Sequence, residues 1–132
     1  MSFGSLLLTS GRASRLLRAM GNERRLIILC HLCDREHSVN ELCRLVGLSQ
    51  SALSQHLAKL RRDNLVKTRR SAQTVYYSVS SPEVAPILKA LSEVFPSVAA
   101  AAANARNDGT SQHRPSGART ADARAAWRKS SA

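Results

Sequence analysis

A glycine at position 47 separates two short amphipathic patterns, and that punctuation constrains the chain more than any other feature in it. The run Val39 to Val46 places Leu42, Leu45 and Val46 on one side of a helix. Gly47 follows where a helix ends in the left-handed conformation that glycine adopts without steric cost. After Leu48, Ser49 supplies a hydroxyl suited to capping the next helix. The segment then reads Ser-Gln-Ser-Ala-Leu-Ser-Gln-His-Leu-Ala-Lys-Leu-Arg-Arg to Arg62, with Leu53, Leu57 and Leu60 sharing one face. The opposite face carries Gln50, Ser51, Ser54, Gln55, Lys59 and Arg62, and no acidic residue. A merely solvated surface helix usually mixes acids with bases. One without acids suits a major groove, where amides and hydroxyls meet base edges. Helix, glycine turn and polar-faced helix together predict a helix-turn-helix.

The flanks fit that unit. From Leu65 the period shortens to two, so Leu65–Arg70 and Thr74–Val79 read as strands of a hairpin. Its basic side chains, Lys67, Arg69 and Arg70, place a wing beside the reading helix, in reach of phosphate. The connection lacks an Asn-Gly type turn, which predicts a longer, mobile tip. Ser81, Pro82 and Glu83 announce a last helix through Val84, Ile87, Leu88, Leu91, Val94 and Phe95, ending at Pro96. Upstream, residues 1–10 read as a flexible N-terminus, and a first helix runs from Gly11 to Met20. Asn22 caps a second helix, Glu23 to about Cys33, whose apolar residues Leu26, Ile27, Leu29, Cys30 and Cys33 span a wide arc expected in the core. Ser38-Val39 has room for a very short strand. The fold expected is mostly α with a two-stranded β-hairpin wing over residues 11–96. Residues 97–132, rich in Ala, Arg and Ser, read as a disordered basic tail.

The charge agrees with a polyanionic partner. Lys and Arg number 20 against 9 acidic residues, a formal charge of +11 that favours nucleic acid or an anionic surface. The tail holds six of those bases and two of the acids, so residues 1–96 are basic in their own right. No apolar run has the length of a membrane span, and Leu6–Leu8 is too short for a secretory signal. Three cysteines, an odd number without a secretion signal, point to free thiols in a reducing cytoplasm. No phosphate-cradling glycine loop, nucleophile elbow or carboxylate pair appears, so neither an enzyme nor a cofactor is expected.

Asn22-Glu-Arg-Arg-Leu, Glu41-Leu-Cys-Arg-Leu, the run from Leu48 to Arg61 and Gln73-Thr-Val-Tyr-Tyr together resemble the ArsR/SmtB family of bacterial winged-helix repressors. Within it the chain looks most like the thiol-sensing branch of HlyU, BigR and SqrR. The likeness spans roughly residues 12–95 and omits the tail. It implies a homodimer joined through the first and last helices, each protomer reading one half-site of a double-stranded DNA operator. It also separates the family's sensors. Arsenic and lead sensors carry three cysteines in the helix before the recognition helix; only Cys43 matches, with Ser38 and Asn40 at the other positions. The zinc sensors' Asp, His and Glu on the last helix have no His or Asp counterpart between Ser81 and Phe95. The oxidant- and sulfide-sensing branch uses a cysteine of the second helix, matched by Cys30. Its partner cysteine at the end of the last helix is replaced by Phe95-Pro96.

Two readings of the cysteines stand side by side. Cys30 and Cys33 are small hydrophobes buried in a core helix, or Cys30 is an oxidant-sensing thiol resolved by Cys33 or Cys43. A zinc site from Cys30, Cys33, His37 and Cys43 is a minor third, loose in spacing. The function expected is sequence-specific DNA binding that represses transcription or displaces another repressor, released by thiol oxidation or by reactive sulfur acting on the cysteines. Base contacts are assigned to Gln50, Ser51, Ser54 and Gln55, supported by Ser49. Phosphate contacts fall to His56, Lys59, Arg61, Arg62, Lys67, Arg69 and Arg70. The rivals are a metal-responsive repressor and a non-sensing architectural DNA module.

Overall fold

The computed structural model describes residues 3–97, and the elements below belong to those residues. They are α1 Gly4–Met20, α2 Glu23–Asp34, β1 His37–Ser38, α3 Val39–Val46, α4 Gln50–Arg62, β2 Val66–Ser71, β3 Thr74–Val79 and α5 Val84–Val94. The chain divides into two compact units at Val84/Ala85.

In the first unit, α2, α3 and α4 close around a core of leucines. Ile28, Leu29 and Leu32 come from α2, Leu42 and Val46 from α3, and Leu53, Leu57 and Leu60 from α4, all essentially without solvent contact. Each helix start is stabilised by its own side chain. Asn22 accepts from the Arg25 amide at 3.1 Å, Ser38 from Glu41 at 3.2 Å and Ser49 from Ala52 at 3.3 Å, so each cap quiets one orphan amide. Gly47 ends α3 at φ 73°, its amide donating to the Cys43 carbonyl at 2.9 Å. Asn64 ends α4 at φ 61°. There the Leu65 amide reaches back to the Leu60 carbonyl and the Asn64 amide to that of Arg61, the paired bonds of a Schellman motif. Leu60 and Leu65 are both buried, which supplies the apolar contact that accompanies this motif. The turn aims the chain directly from α4 into β2.

Two arginines of α2 dock its neighbours. Arg25 Nε donates to the Ala19 carbonyl at 2.7 Å and Arg24 Nη1 to the Val46 carbonyl at 3.0 Å. Both acceptors are otherwise unpaired carbonyls at helix C-termini, where positive charge is favoured. Gly21, between α1 and α2, has no room for a side chain: a Cβ there would lie 2.9 Å from the Leu17 carbonyl oxygen.

The sheet has three strands, ordered β1-β3-β2 and antiparallel, so the wing hairpin gains a short third strand. His37 pairs with Tyr77 and Ser38 with Tyr76, while β2 and β3 pair from Val66↔Val79 to Ser71↔Thr74. The expected long tip is instead a two-residue turn, Ala72-Gln73, with Ala72 at φ 54°. A positive φ at the first central position is what a type II′ hairpin turn uses, here without the usual glycine.

Two helix starts and one helix face differ from the sequence reading. α1 begins at Gly4 rather than Gly11. Its poor helix formers, Thr9 and Ser10, are accommodated by hydroxyl bonds to the Ser5 and Leu7 carbonyls. α5 begins at Val84, because the Ser81 hydroxyl donates to the Glu83 carboxylate at 2.6 Å instead of capping an amide. α2 buries Ile28, Leu29 and Leu32, which leaves Cys30 and Cys33 on its exposed side rather than in the core.

In the second unit, α5 keeps Ile87, Leu88 and Leu91 partly covered, whereas Val94 and Phe95 at its end are exposed. The tail expectation for residues 97–132 lies, beyond Ser97, outside the described residues. Among the described residues no helix is long and apolar enough to cross a membrane.

Candidate nucleic-acid interface

Burial of Leu53, Leu57 and Leu60 fixes which side of α4 faces out. Gln50, Ser51, Ser54, Gln55, Arg61 and Arg62 are exposed there, as the sequence spacing predicts. Ala58, also exposed, stands between Ser54 and Gln55 on one turn and Arg62 on the next. It went unmarked in the sequence because alanine has no polar signal. On this surface it is a smooth apolar spot of the kind that meets a thymine methyl. The Ser49 hydroxyl is engaged as the cap and lies 3.3 Å from Ser51 Oγ, so its role is chiefly to set the start of α4. Beside that start, a cleft of about 210 Å³ opens among Ser38, Asn40, Gln50, Gln73 and Thr74. No carboxylate lines it, so the gap between reading helix and wing is free of charge that would repel a phosphate.

The cations separate into three groups. Arg61, Arg62, Lys67 and Arg70 are exposed with no ion-pair partner among the described residues, and Lys59 is half-buried without one. His56 departs from its assignment. It is half-buried, and burial, followed by the charges of Arg25 and Arg24, lowers its pKa below the ordinary histidine value. Partial burial and nearby guanidinium charge both disfavour the imidazolium that would hold a phosphate. Arg69 departs as well: its Nε and Nη2 grip the Glu36 carboxylate at 3.1 and 2.6 Å, and its guanidinium lies 4.7 Å from the centre of the Tyr76 ring. Glu36, 33 residues away in sequence, gave no local signal of this pairing.

Under α3, His37 is buried and its Nδ1 shares a 2.9 Å hydrogen bond with Glu41 Oε2, whose carboxylate also meets Arg35 at 3.4 Å. The hydrogen bond to His37, then the charge of Arg35, holds the Glu41 carboxyl below the usual carboxylate range. His37 Nε2 is buried without a hydrogen-bond partner. Among the described residues no three His, Cys, Asp or Glu side chains converge as an ion requires. The arrangement of Cys30, Cys33, His37 and Cys43 as a zinc site is therefore not formed. All three cysteines are free thiols; Cys30 and Cys33 are exposed and Cys43 is half-buried. Partial desolvation raises the pKa of both Cys30 and Cys33, with the neighbouring Cys33 adding to the rise at Cys30.

This geometry meets independent likenesses. The profile of "Bacterial regulatory protein, arsR family" matches residues 22–68, from the cap of α2 into the first wing strand. The transcriptional activator HlyU of Vibrio cholerae is 58% identical over 86 residues, covering 65% of this chain and 80% of that protein. The nodulation protein NolR of Rhizobium meliloti is 58% identical over 83 residues, covering 63% and 68%. Among solved structures, reduced HlyU from Vibrio cholerae has a TM-score of 0.65 at 54% identity over 70% of this chain and 97% of that one. The transcriptional repressor BigR from Xylella fastidiosa gives 0.69 at 30% identity over 72% and 97%. Activators and repressors thus share this winged-helix frame, in agreement with the HlyU and BigR branch indicated by the sequence. The chain belongs to the ArsR family of bacterial regulatory proteins and is a winged-helix, DNA-binding regulator of transcription rather than an enzyme.

Proposed function

We propose that two copies of this chain bind one palindromic DNA operator, each laying the outer face of α4 in a major groove and its wing along the adjacent backbone. The observation that carries this is the exposed, acid-free surface of α4. Gln50, Ser51, Ser54 and Gln55 read base edges, and Ala58 supplies an apolar contact. Lys59, Arg61, Arg62, Lys67 and Arg70 hold phosphates. A dimer through α1 and α5 is supported by large apolar side chains left exposed, Leu6, Leu7, Leu8 and Leu17 on the first helix, Val94 at the end of the second and Phe95 just after it. Two reading helices in one dimer call for half-sites about one helical turn, roughly 34 Å, apart. Selection from random duplexes followed by footprinting is expected to yield a protected palindrome with that spacing. Absence of any sequence preference would sink the proposal.

Release by thiol oxidation is a second reading, favoured by the exposure of Cys30 and Cys33 one turn apart on α2, and by the similarity to a protein whose structure is specified as reduced. Partial burial, and at Cys30 the neighbouring Cys33, push both thiols up from the ordinary cysteine value, which disfavours the nucleophilic thiolate. Peroxide or polysulfide treatment is expected to lower operator affinity of the wild-type chain and to leave Cys30→Ser unaffected. Unmodified Cys30 by mass spectrometry, with affinity unchanged, would refute it.

A further inference from the structure

We infer that Glu36 is a positioning residue for the wing: by gripping Arg69 against the Tyr76 ring it fixes the angle at which the hairpin leaves the body. The inference rests on the DNA-reading proposal above and concerns how that surface is held in register.

The place of the contact in the sheet carries the argument. β1 supplies only two residues, and Ser38↔Tyr76 is the last rung at which β3 has a third strand beside it. Arg69 pairs with that same Tyr76 from the other side. Beyond this rung, Arg70, Ser71, Ala72, Gln73, Thr74 and Val75 form a ribbon of two strands without a third, the form of sheet that twists and bends most readily. The Glu36 clamp therefore sits where the three-stranded sheet becomes a two-stranded ribbon. Its far end is equally well placed. Glu36 immediately precedes β1, and the hydroxyl of Ser38 in β1 caps α3, the first helix of the helix-turn-helix pair. One short segment thus ties the ribbon to the base of the reading unit.

The chemistry suits bracing better than phosphate contact. Two parallel N–H···O bonds give the fork-to-fork geometry that only a guanidinium supplies, and the flat face of the same group rests on an aromatic ring. Arg69 enters any encounter with DNA already neutralised, whereas Lys67 and Arg70 on either side of it have no ion-pair partner. An exposed ion pair adds little to global stability, so its loss shows in wing placement rather than in unfolding.

The test is a double-substitution cycle in the full-length chain, using the duplex that the wild-type chain selects from a random pool. Glu36→Gln, Arg69→Gln and the two together are titrated by fluorescence anisotropy across a salt series. Each single variant is expected to bind roughly three- to tenfold more weakly, with the double no weaker than either single, as for two halves of one device. The dependence of log affinity on log salt stays at the wild-type slope, and Arg69→Lys, which keeps the charge but not the fork, fails to rescue. Amide exchange at residues 70–75 speeds up in Glu36→Gln while the circular dichroism spectrum and melting temperature hold. A flattened salt slope in Arg69→Gln, tighter binding in Glu36→Gln, or full affinity in Arg69→Lys each overturns the inference and makes Arg69 a phosphate ligand. A wild-type chain that selects no sequence overturns the DNA-reading proposal with it, so the two failures are told apart before any variant is compared.

Discussion

Arg70→Gln offers the sharpest measure of how this surface meets DNA. Five cations of α4 and the wing, Lys59, Arg61, Arg62, Lys67 and Arg70, lack an acidic partner among the described residues, and Arg69 is excluded by its pairing with Glu36. If each neutralises one phosphate, log affinity falls against log salt with a slope of about −4.5 per half-site and about −9 for a dimer. Removing Arg70 from both copies of the proposed dimer returns the slope to about −7. Between roughly 50 and 200 mM salt the wild-type complex then weakens by about five decades and the variant by about four. The assay is anisotropy of a labelled operator duplex at stepped salt, with a random duplex of equal length as control. Arg70→Gln is expected to lose affinity on both duplexes alike. Gln55→Ala is its counterpart: it leaves the slope unchanged and reduces the ratio of specific to random binding by about tenfold per half-site. An unchanged slope in Arg70→Gln, or a changed one in Gln55→Ala, would refute the division of α4 and wing into readers and phosphate holders.

Two further predictions concern stability. Asn64 holds a left-handed conformation that alanine tolerates poorly, so Asn64→Ala is expected to lower the melting temperature by roughly 4–8 °C for a cost of about 1 kcal/mol, while Asn64→Gly does not lower it; equal losses would refute the Schellman assignment. On acidification, every resolved carboxyl and imidazole shift acts in one direction. Glu36, Glu41 and Glu83 have lowered pKa values, chiefly through hydrogen bonds from Arg69, His37 and Ser81. His31 and His56 are lowered chiefly by burial. A lowered folded pKa means the unfolded chain binds the proton more readily, so stability rises with pH. The histidine contribution is complete above the unfolded value of about 6.5 and is lost as pH falls through the folded values; the carboxylates follow below about 4. Melting temperature is thus expected to decline in two stages between pH 7 and 3, and His56→Gln to shrink the upper stage. A profile that is flat above pH 5 would contradict it.

The readable parts of this fold are those written locally. Gly47, the Ser49 cap and the leucine spacing of α4 each act within one or two turns, and the helix-turn-helix boundaries follow from them. The face of α4 was legible for the same reason, apart from Ala58, which carries no polar mark. What escaped depends on distant partners. Arg69 looks like any wing cation until Glu36 is brought alongside, and His56 looks exposed until α2 places Arg24 and Arg25 near it. On α2, apolar residues ring most of the helix, so periodicity does not tell which arc faces the core, and the cysteines lie on the arc that faces out. The Ala72 turn lacks the glycine or asparagine by which such turns are usually recognised.

The Arg24 and Arg25 contacts reach backbone carbonyls, Val46 on α3 and Ala19 on α1, instead of side chains. A joint of that kind is indifferent to the identity of the residues it grips, and a guanidinium does not lose its proton at any pH the folded chain meets. The outer surfaces of α1 and α3 can therefore be rewritten without unseating them from α2. Such a frame lets the packing of three helices stay fixed while the side chains on its outside diverge.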